Sequence, residues 1–149
     1  MEVAARALLE QIVAAAQKSS NTIVTARALL AAANLYLRFD ADRAVSVLAQ
    51  AIRSINQLEA PDFSQNWFIR RIEGRYFARY ASYKTTNFDP ESAFREFAKI
   101  DIESSFAQSS SVTDKALRGH ILLALADFCL KQPKATPKPS KTRAVVANN

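Results

Sequence analysis

The chain is 149 residues long, a length that suits one domain better than two. Hydrophobic residues make up 49% of it and glycine only 2 positions. A core can therefore form without metals or disulfides, and an all-β sandwich with its many turn glycines is set aside. The formal charge is +6, but five of the 20 basic residues fall from Lys131 onward, where no acid occurs. Residues 1–130 then hold 15 bases against 14 acids, so the positive excess belongs to the tail, which attracts nucleic acid, anionic lipid or acidic protein alike.

Cys129 is the single cysteine, so no intrachain disulfide can form; a reducing compartment fits, cytoplasmic by default. The N-terminal apolar stretch is interrupted by Glu10, Gln11 and Gln17 and preceded by Glu2 rather than a basic region, unlike a signal peptide. The longest uncharged apolar runs, such as Ala28 to Leu37, reach about half of the roughly 20 residues a membrane helix needs.

Hydrophobic spacing predicts a first helix over residues 2–18, with Ala5, Leu8, Leu9, Ile12 and Ala16 on its apolar face. A second runs over 22–38, with Ala26, Leu29, Leu30, Ala33 and Leu37 on one side and Arg27, Asn34 and Arg38 away from it. Asp40 caps a third over 41–59, where Ala44, Val47, Leu48, Ala51, Ile52 and Ile55 form a broad stripe. The short Phe39-Asp40 connection predicts an antiparallel pair. Ala60-Pro61-Asp62 ends the third helix.

Residues 65–84 are ambiguous. Ile69, Ile72, Tyr76, Tyr80 and Tyr83 fit a helical face, yet aromatic residues are dense and Gly74 sits near the centre, where a helix loses about 1 kcal/mol relative to alanine. A β-hairpin inserted at about 66–83 is favoured, turning near Glu73-Gly74 with Gly74 left-handed; it would put Trp67, Ile69, Ala78 and Tyr80 on one face.

Asn87-Phe88-Asp89-Pro90 starts a fourth helix over 90–99, with Asp89 as cap and Pro90 in the first turn. Ala93, Phe94, Phe97 and Ala98 are its buried face. A fifth helix over 102–109 carries Ile102 and Phe106. The sixth, over 114–131, is capped by Thr113 or Asp114 and turns Leu117, Ile121, Leu125 and Phe128 inward. The domain is thus expected to span 1–131. Three prolines among lysines and serines predict a disordered basic tail over 132–149.

The turns echo one another. Phe39-Asp40-Ala41-Asp42-Arg43-Ala44-Val45 and Ile100-Asp101-Ile102-Glu103-Ser104-Ser105-Phe106 share the order apolar, Asp, any, acid, any, small, apolar. Two copies are few for a solenoid, and any helical hairpin with a short Asp turn converges on this order. In residues 26–56, Ala32 and Leu35 of the second helix, and Ala44, Leu48 and Ala51 of the third, follow a small–large and a small–large–small order. This stretch resembles a tetratricopeptide (TPR) hairpin. It departs where that family places a helix-ending proline and Asn56 stands, and the later hairpin matches poorly. Asn87-Phe88-Asp89-Pro90, Ile100-Asp101 and Asp114-Lys115-Ala116-Leu117-Arg118 are also similar to bacterial helical-repeat proteins. The resemblance implies stacked helices, in the manner of an α-solenoid, that bind protein.

No catalytic, cofactor or metal site is expected. His120 is the single histidine and lies about 900° around a helix from Cys129, on the opposite face; Asp127 shares its face as a surface stripe. Zinc would need further ligands that the chain lacks. The pairs Asp40/Asp42 and Asp101/Glu103 stand at helix starts, where capping explains them. The candidate partner-binding residues are Trp67, Arg70, Arg71, Arg75, Tyr76, Arg79 and Tyr80, because arginine interleaved with aromatics suits a protein interface. The same pattern suits single-stranded nucleic acid, and the simplest reading is aromatics packed on helices beneath solvated arginines. The expected function is a non-enzymatic protein-interaction or scaffold module. The alternatives are a nucleic-acid binder using residues 66–84 and the tail, and a structural piece of a longer solenoid.

Overall fold

The computed structural model describes residues 1–64, 67–84 and 88–132, and within 67–84 the side-chain surroundings of 74–76, 78 and 79 alone. The expected disorder of the tail therefore falls, from residue 133 on, outside the described residues. The described chain is mainly helical: α1 (Glu2–Lys18), α2 (Ile23–Tyr36), α3 (Ala41–Asn56), α4 (Pro90–Ala98), α5 (Ile102–Ser109) and α6 (Lys115–Lys131), with strands β1 (Trp67–Gly74) and β2 (Phe77–Lys84) between α3 and α4. None of these helices is long and apolar enough to cross a membrane.

The centre of the fold is α2 against α3. Ala26, Ala33, Ala44 and Ala51 are fully buried, and side chains this small let two backbones approach closely. Leu30, Val47 and Leu48, also fully buried, fill the spaces beside them. Both ends of the pair are tied. At the start of α2, Asn21 donates to the Ser54 carbonyl near the end of α3 (2.9 Å) and accepts from the Ser54 hydroxyl. At the other end the Arg43 guanidinium of α3 lies 5.9 Å from the ring centre of Tyr36 of α2.

The starts of α2 to α6 are each capped by a side chain that accepts an otherwise unpaired N–H, Thr22 accepting from the Thr25 amide at α2. Asp40 accepts from the Arg43 amide, Asp89 from Ser92, Asp101 from Ser104 and Asp114 from Leu117. The turns before Asp40 and Asp101 share their backbone bonds: the Tyr36 carbonyl accepts from Phe39 and Asp40, and the Phe97 carbonyl from Ile100 and Asp101.

Helix α1 turns inward only part of the face that its spacing suggests, and adds Val13 to it. Leu9 and Val13 are buried and Ala16 half-buried, while Leu8 and Ile12 are 60% and 42% exposed. Two apolar stripes lie side by side on this helix, and a polar clasp selects between them. Glu10 holds Arg43 through two bonds (3.0 and 2.7 Å) and accepts from the Tyr36 hydroxyl (2.8 Å). Arg6 donates to Asp40 (3.1 Å) and lies 5.3 Å from the Phe39 ring centre. The bonds from Arg43 and Tyr36 hold the Glu10 carboxyl below the usual glutamate range.

Helix α3 ends at Asn56, short of residue 59, and the Asn56 side chain reaches to another part of the chain. Its amide donates to the Ser111 carbonyl (2.8 Å) and its oxygen accepts from the Thr113 amide (2.9 Å), tying the end of α3 to the α5–α6 turn. Helix α4 lies between α2, α5 and α6, and buries Ala93, Phe94, Phe97 and Ala98. In α5 Ile102 packs half-buried against the core, whereas Phe106 is 58% exposed and Ser105 and Ser109 are buried in its place. The serine hydroxyls donate to the Asp101 and Phe106 carbonyls (2.8 and 2.7 Å), so they enter the core already satisfied. In α6, Leu117, Ile121, Ala124 and Leu125 are buried, and Phe128 packs against the core half-buried.

β1 and β2 pair antiparallel, with Trp67 opposite Lys84 and Gly74 opposite Phe77. The turn is therefore Arg75-Tyr76, not Glu73-Gly74. Among the described residues none has a positive φ, glycine included. Gly74 closes the strand instead of supplying a left-handed turn, and the turn is not of the I′ or II′ kind. The register moves Trp67 from Tyr80 to Lys84, an even slip that leaves Trp67, Ile69, Ala78 and Tyr80 on one face.

Two outcomes test this packing. Phe94→Ala is expected to cost about 3–5 kcal/mol, whereas Phe106→Ala costs under about 1 kcal/mol, both read from urea denaturation. Because the folded Glu10 carboxyl titrates below its unfolded range, the clasp stabilises above that range and is lost as pH falls through the folded value. The difference in urea midpoint between the wild type and Glu10→Gln is expected to shrink below about pH 4.

Candidate functional site

The residues proposed for partner binding do not share one surface. By strand alternation, Trp67, Arg71 and Tyr80 occupy one face of the two-stranded sheet, and Arg71 stands directly opposite Tyr80. Arg70 and Arg79 occupy the other face at diagonal positions, opposite Ala81 and Ile72. Arg75 and Tyr76 form the turn. The tip is open to solvent: Arg75, Tyr76 and Arg79 are all exposed, Tyr76 at 90%. Glu73, opposite Ala78, is the one acid of the two strands. Of the seven residues, Arg75, Tyr76 and Arg79 are thus the ones that the fold leaves exposed at the tip.

At the foot of the strands lies a cleft of about 520 Å³, walled by residues 61–64 before β1, by the start of α4 and by the start of α6. Four carboxylates line it, those of Asp62, Asp89, Glu91 and Asp114, with Arg95 and His120. Most of the carboxylates are already engaged. Asp89 accepts from the Ser92 amide (2.8 Å) and hydroxyl (2.9 Å), and Asp114 from the Leu117 amide (2.7 Å). Asp62 accepts from the Ser64 amide (2.8 Å), and its bonds to Ser64 hold its pKa down, with Arg27 adding a smaller effect. His120 Nδ1 lies 3.6 Å from Glu91, and Asp127 bonds Lys131 (2.8 Å). Helix capping accounts for the place of Asp89 and Asp114 in the cleft, and a turn bond to Ser64 for that of Asp62. Among the described residues no group of three or more His, Cys, Asp or Glu side chains is arranged to hold a metal.

Arg27 is the residue that the sequence places wrongly. It is 4% exposed rather than on the outer face of α2. Its guanidinium donates to the Phe63 carbonyl (2.9 Å) and lies 5.4 Å from the Phe63 ring centre. Burial pushes its pKa down, and the charges of Asp89 and Asp62 oppose that shift. Arg27 therefore clamps the segment leading into β1 onto the helices from beneath. Within α2 nothing signals this, because the partner lies 36 residues further along. Asn34 is likewise half-buried, while Arg38 is exposed as expected.

Removing the clamp separates the two parts of the molecule. Arg27→Ala is expected to destabilise the fold by about 1–3 kcal/mol and to abolish amide exchange protection at Asp62 and Ser64, whose amides are hydrogen-bonded, before that of α3. Equal loss of protection in both segments would contradict this role. Comparison with models of known families, with curated proteins and with solved structures finds no match.

Proposed function

We propose that the chain is a non-enzymatic interaction or scaffold module of helical-repeat, TPR-like type, built from antiparallel helical hairpins. It presents the β1–β2 tip to a protein partner. The observation that carries this reading is the tip itself: Tyr76 at 90% exposure beside the exposed Arg75 and Arg79. Tyrosine and arginine supply large contact area with few rotatable bonds and planar hydrogen-bonding, the mixture that dominates binding energy at protein interfaces.

The helical-repeat part rests on three supports. Ala32, Ala44, Leu48 and Ala51, which carry the TPR resemblance, are buried. The turns at Asp40 and Asp101 use the same backbone bonds. Asn56, standing where that family has proline, joins α3 to the α5–α6 turn, as a solenoid joins one layer to the next. Leu35 fits less well, being 40% exposed.

A Tyr76→Ser/Arg79→Ser double variant tests the reading. Both side chains are exposed, so the far-UV spectrum and urea midpoint are expected to stay unchanged. The set of proteins cross-linked to the wild type through a photoreactive group at residue 78 should be lost. A set unchanged by the variant removes the tip from the function. A salt titration against a single-stranded oligonucleotide runs in parallel. Tight binding at low salt that weakens linearly on logarithmic axes replaces the protein partner with nucleic acid.

A further inference from the structure

Helix α6 is apolar on two sides. Its inner side, with Leu117, Ile121 and Leu125, is spent in the core. The opposite side carries Ala116, Gly119, Leu123, Ala126 and Leu130, separated by 3, 4, 3 and 4 residues. None of the five is buried; Leu123 is 70% and Leu130 85% exposed. A 3–4 alternation is the spacing of a helix–helix seam, and a helix apolar all round is normally covered all round. A Cβ added at Gly119 would meet nothing within 4 Å, so the glycine is not there to admit another part of its own chain.

We infer that this face is a homodimer seam, covered by α6 of a second copy of the chain running antiparallel about a two-fold axis. Two features select that occupant. The first is shape. In antiparallel seam geometry the layers that put Leu123 opposite the partner's Ala126 also put Leu130 opposite the partner's Gly119. Each large side chain then meets a small one, and the two-fold axis repeats both contacts. The second is charge. The same register brings His120 on one flank beside the partner's Asp127, twice over, while the other flank sets Leu122 beside Cys129 of the partner subunit. A parallel pair would instead set Leu122 against the partner's Asp127, a carboxylate facing leucine. Five seam positions make a small interface, so association on the order of tens of micromolar is expected.

The inference is independent of the tip and its partner. Sedimentation velocity on the full 149-residue chain, from low-micromolar to near-millimolar concentration, reads it out. The expected result is a monomer–dimer equilibrium that stops at the dimer. Leu123→Glu weakens it by at least roughly tenfold. Gly119→Met, which adds apolar surface but fills the space that Leu130 of the partner subunit requires, weakens it too. Both sites are open in the monomer, so the far-UV spectrum stays unchanged. Leu8→Glu, on the exposed face of α1, leaves association as it was. Leu122→Cys forms a disulfide-linked dimer with the native Cys129 of a second copy, since positions 122 and 129 of one helix stand about 10 Å apart and cannot bond. A monomer at every concentration overturns the proposal. So does stronger association of Gly119→Met, which marks non-specific adhesion. Loss of association in Leu8→Glu, or growth beyond the dimer, overturns it in favour of α1 stacking head-to-tail on α6. A dimer that Leu122→Cys fails to link overturns the antiparallel register.

Discussion

The close contact of α2 with α3 sets the distances on which the remaining packing depends. Alanines at the crossing bring the backbones together, and polar bonds at both ends of the pair keep them from sliding. With that pair fixed, the α2–α3 turn presents Tyr36, Asp40 and Arg43 as a template for α1, and Glu10 and Arg6 dock onto it. The opposite side of α2 receives α4, whose phenylalanines complete the core. Small residues thus act at the centre and large ones at the margin, an order suited to helices that must lie close over most of their length.

Polar side chains here act mainly as joints. Asp40, Asp89, Asp101 and Asp114 each begin a helix by accepting an amide proton. Asn21 and Asn56 connect segments far apart in sequence. Each of these groups finds its partner within the fold, so bringing it to the margin of the core costs little. The carboxylates around the cleft belong to the same system, and their crowding follows from two helix starts facing one connecting segment.

The parts of this architecture legible in the sequence are those governed by local rules. The α3 stripe and the Phe94/Phe97 face of α4 could be read from spacing alone, and the Asp caps from their place before each apolar run. The inward face of α1 could not, because Leu8/Ile12 and Leu9/Val13 are equally apolar and the choice between them is made by Arg43 and Tyr36, some 30 residues away. In α5 serines entered the core because their hydroxyls could bond back to the same turn, while Phe106 stayed out. For the candidate site, the enrichment in arginine and aromatics was visible, and so was the alternation that divides position 67 from position 70; the pairing was not, because the turn formed at Arg75-Tyr76 and set Trp67 opposite Lys84 instead of Tyr80. Arg27 was invisible for the same reason as the α1 face: its partner is distant.

The strands leave the helices at one point and rejoin them at another, and those two points rest on different helices. Residues 61–64 are gripped through Phe63 by Arg27 of α2, whereas β2 leads on to Asp89 and Pro90 at the head of α4. Any load borne by the Tyr76 end therefore divides between two helices that already lean on each other. A partner seated there would pull on the middle of the molecule, and its grip would register as strain across the α2–α4 contact.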